Sequence, residues 1–150
     1  MINLLPKLRE AFPFVGERSV TEDDLFWFCF RSGVEVVFRD DIPKGVYALS
    51  QGEHFIFLNT KLIGWSLRYV FSHEVAHYLF HAPSNSNFHL EFFAKESKRR
   101  KHIEAEQVSA LLLLPVPEIE EVLITGAYNA SPELAELLGV RLSILDLYKF

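Results

Sequence analysis

Five residues near the middle of the chain, His73-Glu74-Val75-Ala76-His77, have the types and spacing for metal-assisted hydrolysis. On an α-helix, positions four apart are about 40° apart around the axis and ~6 Å apart along it. His73 and His77 then project from one face and can aim two imidazole nitrogens at a single cation. Glu74 stands beside them, able to reach a water on that cation without being a ligand itself. This is the His-Glu-x-x-His arrangement of zinc-dependent peptidases. The plainer alternative is a pair of core histidines satisfied by ordinary neighbours. The surrounding run is apolar nearly all round, through Ile63, Trp65, Leu67, Val70, Phe71, Val75, Leu79 and Phe80, so the helix is expected to be buried. Buried His73, Glu74 and His77 need partners, because an unpaired buried polar group costs roughly several kcal/mol. A metal with its water supplies those partners together.

A catalytic site of this kind takes a third protein ligand and leaves one position open. The next helical pattern, from about Ser97 to Leu114, offers Glu104 and Glu106. With residues placed about 100° apart, Ile103, Val108, Leu111, Leu112 and Leu114 centre about 40° from Glu104 and about 120° from Glu106. Glu104 is therefore expected on the core side, and Glu106 toward water or in support of the ligands. An oxyanion donor is also required, and His89, His102 and Tyr128 are candidates.

The elements that must hold these residues follow from the remaining pattern. A short helix is expected before Pro13, then a loop through Gly16. Thr21, with Asp24 three positions on, predicts a capped helix that Gly33 ends. Residues 34–38, 46–50 and 54–58 read as strands, the last two joined through Gln51-Gly52-Glu53 as a hairpin. Three such strands predict a small antiparallel sheet, with Asp40 and Asp41 in a solvated turn. Asn59 or Thr60 is expected to cap the motif-bearing helix, which Pro83 and Ser84-Asn85-Ser86-Asn87 follow as a polar loop. Residues 88–97 fit loop or short helix equally. Pro115 and Pro117 stop the second helix, a short helix covers 118–123, Ser131-Pro132 opens another that Gly139 ends, and a last one spans 143–149. The fold class is thus α+β in one domain, 1–150.

Composition bounds the function. A chain of 150 residues, 49% hydrophobic with fourteen Phe, can fill its own core. Its net charge of −5 argues against direct nucleic-acid binding, for which Lys98-Arg99-Arg100-Lys101 is too little. The lone Cys29 excludes an internal disulfide and a multi-cysteine metal site, and reads as a buried thiol. No signal peptide or membrane span is visible, so a cytoplasmic, soluble protein is expected. Zinc is the default for imidazole-rich ligation, although manganese can occupy a His₂Glu site. Oligomeric state is left open.

His73–His81, followed by Glu104-Ala105-Glu106-Gln107-Val108-Ser109-Ala110-Leu111-Leu112-Leu113-Leu114-Pro115, resembles the ImmA/IrrE family of metallopeptidases. The likeness covers about residues 34–140 and extends to the strand Phe55–Asn59 that leads into the motif helix. It implies a minimal gluzincin-like fold, metal ligands at His73, His77 and Glu104, and Glu74 as catalytic base. His81 matches a histidine common just after the motif and is not expected to bind metal. Glu106 and Val108-Ser109 depart from the family's usual Asn or Asp and Phe-Ala. The resemblance further implies a protein substrate, a helix-turn-helix repressor, and a role in stress response or in phage and mobile-element regulation. Hydrolysis of a peptide bond is the expected function. A non-catalytic, metal-braced binding module is the main rival.

Overall fold

The β-branched run after Gly33 and its two successors form a three-stranded sheet in the structure, a computed structural model that describes residues 4–82 and 95–149. The strands are β1 (Val34–Arg39), β2 (Gly45–Ser50) and β3 (Glu53–Asn59), in the order β1-β3-β2. The hairpin is present: Gln51 and Gly52 both take positive φ, 51° and 80°, as the tight primed turn between twisted strands requires. The sheet is mixed rather than antiparallel throughout, because β3 pairs antiparallel with β2 but parallel with β1. Loop 40–44 leaves a one-strand gap between β1 and β2, and the hairpin returns β3 into it. Asn59 fastens that loop over the end of β3. Its backbone N–H donates to Lys44 O (2.7 Å), its side-chain amide donates to Ile42 O (2.6 Å), and Thr60 N–H donates to Arg39 O (3.0 Å).

That duty removes Asn59 from helix capping. Helix α3 (Gly64–His81) starts four residues later than Thr60, with Ile63 at its N-cap and no side-chain cap. Two helices precede the sheet, α1 (Leu5–Ala11) and α2 (Glu22–Ser32). The latter opens on a reciprocal Thr21–Asp24 capping box and closes on left-handed Gly33. The sheet lays Tyr47, Ile56 and Leu58, all at most 1% exposed, against the core. Helix α3 packs on β2 and β3, and every residue from Tyr69 to Ala76 is buried.

Helix α4 (Lys95–Leu113) lies along α3. Its small residues let the two helices approach: Ser109 Oγ meets Ser72 Oγ at 2.7 Å, and both hydroxyls reach Tyr69 O. The Val108-Ser109 departure is therefore matched by Ser72 on the facing helix. Leu111 to Leu114 are fully buried. Pro115 then caps α5 (Val116–Thr125), and after a short 3₁₀ turn at Ala127–Asn129 comes α6 (Pro132–Ser143). Gly139 does not end α6, and no helix follows it among the described residues. The fully buried Arg141 donates from Nε to Leu114 O (2.7 Å), a tertiary bond that draws the helix on past the glycine. Among the described residues no helix is long and apolar enough to cross a membrane. The polar loop expected at 83–87, the ambiguous stretch before Lys95 and the candidate donor His89 lie outside the described residues.

Candidate metal centre

The helical spacing delivers the two motif histidines to one point. His73 Nε2 and His77 Nε2 are 3.2 Å apart, with ring centroids 4.8 Å apart. Burial in the middle of α3 disfavours charge on either ring. It pushes His73 down to about 4 and His77 down to about 3, with the neighbouring imidazoles adding to the effect. Both are thus neutral at pH 7, the state in which a ring nitrogen offers a lone pair to a cation.

Glu74 is placed by the edge strand. Gly45 at the start of β2 sits so close to α3 that a Cβ there would lie 2.7 Å from Val70 Cγ1 and 3.3 Å from Glu74 Cγ. That approach lets Tyr47 N–H donate to Glu74 Oε1 at 2.9 Å. Glu74 is 7% exposed, and burial raises its carboxyl group to about 7, partly offset by the Tyr47 hydrogen bond. A carboxyl poised there can exchange a proton near neutral pH.

Helix α4 brings three more polar groups to the pair. The ligating atoms of His73, His77 and His102 all lie within 4.8 Å of one another, a grouping that could hold a metal ion. Glu104, the carboxylate expected as third ligand, accepts from His81 Nε2 at 3.0 Å. His81 in turn meets His77 through the two Nδ1 atoms, also 3.0 Å apart. Glu106 accepts from Tyr69 Oη at 3.3 Å and lies 3.3 Å from His102 Nε2. Ile103, counted with the apolar face of the helix, is 46% exposed. The core side is instead built on Ala105, Val108, Ser109 and Leu112. An angular average weighted by Ile103 pointed too far toward that residue.

Above these groups opens a cleft of about 650 Å³ whose wall includes Tyr47, Tyr69, His73, Glu74, His77 and His102. His102 is thus at the site, whereas Tyr128, in the 3₁₀ turn, is not among the residues that line it. Tyr69 was missed as a site residue by sequence reasoning, although it lies four residues before His73 and that spacing was the available signal. His81, named from the sequence as a histidine not expected to bind metal, lies at the site against His77 and Glu104. Cys29 is buried on α2, where desolvation pushes its thiol up to about 12, and it takes no part.

Two neutral imidazoles with carboxylates close by make a donor set suited to a borderline divalent cation such as zinc. A comparison with curated proteins found no match, nor did one with solved structures. The IrrE N-terminal-like domain of peptidase family M78 matches residues 29–147, which takes in both helices and all of the sheet. With that span matched, the chain belongs to the IrrE N-terminal-like family of peptidases.

Proposed function

We propose that this chain is a zinc-dependent endopeptidase that hydrolyses a peptide bond in a regulatory protein. The observation that carries the reading is the meeting of two neutral imidazoles 3.2 Å apart, one buried and one half-buried, with a buried carboxyl group on the wall of one cleft. His73 and His77 hold the ion, and we assign Glu104 as the third ligand. A carboxylate offsets part of the dication's charge, which a third neutral imidazole does not. The Glu104 side chain is 17% exposed and held by His81, which itself meets His77, whereas that of His102 is 62% exposed and close to Glu106. A second ligand set, His73, His77 and His102, is favoured by the proximity of their nitrogens. Metal content of Glu104→Ala and His102→Ala proteins separates the two sets.

When bound, the ion supplies Lewis acidity toward the scissile carbonyl and acidifies a water. Glu74 takes the water's proton and returns it to the leaving amine, its carboxyl kept in orientation by Tyr47 N–H. His102, free of the ion, is positioned on the cleft wall to donate to the developing oxyanion. β2 is an edge strand that carries the Glu74 contact, so an extended substrate can add to it as a further strand. The partner proposed, from the resemblance of the two motifs alone, is a helix-turn-helix repressor, with both proteins in the cytoplasm. Manganese is the alternative metal.

A non-catalytic binding module is the rival, and its support is the exposed stacked pair Trp27 and Phe30 on α2. Glu74→Gln decides between them. It should retain the ion and lose cleavage of a substrate that the parent cuts. Equal cleavage by both proteins would remove Glu74 from the mechanism, and no cleavage by the parent would favour the binding module.

A further inference from the structure

Helix α3 carries a third histidine one turn beyond the motif, and its hydrogen bonds have a direction. His81 has a side chain only 5% exposed, enclosed between the last turn of α3 and helix α4. Its Nε2 faces Glu104 Oε1 at 3.0 Å, and its Nδ1 faces His77 Nδ1 at 3.0 Å. A nitrogen that close to a carboxylate oxygen carries a proton, so His81 Nε2 is the donor to Glu104. Between the two Nδ1 atoms there is room for one proton. Were it on His81, neutral His77 would carry its own proton on Nε2, and the nitrogen that faces His73 could not bind a cation. With the proton on His77 Nδ1, its Nε2 presents a lone pair toward His73 and any ion between them.

We propose that His81 is the positioning residue of the metal centre, accepting Nδ1–H from His77 and donating Nε2–H to Glu104. It thereby fixes the tautomer of one ligand and the orientation of the other, and ties the last turn of α3 to α4. The inference rests on the ligand assignment above, with Glu104 Oε2 left to the ion while Oε1 keeps its bond to His81. Metal-ligating histidines regularly need an acceptor on their second nitrogen, and removal of such partners typically weakens metal binding about 10–100-fold. Here that acceptor is another imidazole, backed by a carboxylate. Burial makes it hard to replace with water.

Two measurements test this. In ¹⁵N-histidine-labelled protein, with and without zinc, nitrogen–nitrogen coupling through the hydrogen bond should link His77 Nδ1 to His81 Nδ1. The proton should be on His77, with His81 protonated at Nε2. A proton on His81 Nδ1 or on His77 Nε2 in the zinc-loaded protein would overturn the proposal. Cobalt(II) titration of His81→Phe and His81→Gln gives the second readout. The Phe variant should bind cobalt about 10–100-fold more weakly, with altered visible bands. The Gln variant, whose amide offers one acceptor and one donor, should recover most of the loss. Parental affinity and spectrum in folded His81→Phe, or a Gln variant no better than Phe, would refute it. If His81→Phe does not fold, the coupling in the parent decides. A parent that binds neither zinc nor cobalt would sink the ligand assignment instead, and the ion-free coupling would still report on the His77–His81–Glu104 chain.

Discussion

Gly45→Ala is expected to damage both the fold and the site, because this residue sets the distance between the edge strand and the motif helix. The added carbon would stand 2.7 Å from Val70 Cγ1, 3.1 Å from Phe57 O and 3.3 Å from Glu74 Cγ. Carbon pairs rest at about 3.5–4.0 Å, so the first contact falls short by roughly 1 Å. Val70 cannot swing clear, since a β-branched residue in a helix holds one χ1 rotamer. The Phe57 carbonyl is backbone of the central strand and cannot move without disturbing the sheet. The remaining outlet is to push Glu74 and α3 outward, weakening the Tyr47 N–H bond to Glu74. Overpacking of this kind costs ~1–3 kcal/mol, and at this chain length each kcal/mol lowers Tm by about 2–4 °C. A fall of about 3–10 °C is expected by calorimetry, together with reduced turnover on any substrate the parent cuts. Gly139→Ala is the control, since nothing lies within 4 Å of its would-be Cβ inside α6. It should gain roughly 0.5–1 kcal/mol by helix propensity. An unchanged or raised Tm for Gly45→Ala would refute the steric argument.

The ion-free protein should lose stability as pH falls below about 6.5. His73 and His77 are depressed to about 4 and about 3, so the unfolded chain binds more protons than the folded one in that window. Glu74, raised to about 7, acts in the opposite sense between about 4.5 and 7 and offsets one histidine there. Denaturant unfolding against pH should therefore show a shallow slope between about 4.5 and 6.5 in the parent, and Glu74→Gln should steepen it there; a slope the same in both proteins would contradict the assignment. Arg141→Ala should cost about 2–5 kcal/mol, since it opens a cavity and strips Leu114 O of its 2.7 Å donor. A loss below about 1 kcal/mol by denaturant unfolding would show that this bond does not anchor α6.

The geometry of the motif was legible where it depends on one helix. His73 and His77 follow from a four-residue spacing, and the Thr21–Asp24 box and the Gln51-Gly52 turn follow from local hydrogen bonding and positive φ. What depends on two elements was not legible. The parallel pairing of β1 with β3 depends on how loop 40–44 is held, and that rests on Asn59 reaching back to Ile42 O. The position of Glu104 against His81 depends on how α4 is rotated on α3, which the Ser72–Ser109 contact sets and an angular average could not. Gly139 looked like a helix end because glycine is common there, but a tertiary bond from Arg141 outweighs that local preference.

The most direct test of the central claim is elemental analysis of protein purified without chelator, run on the parent, Glu104→Ala and His102→Ala together. About one zinc per parent chain is predicted, with much less in Glu104→Ala and near-parental content in His102→Ala. A parent that holds no metal even after zinc is offered back would contradict the account.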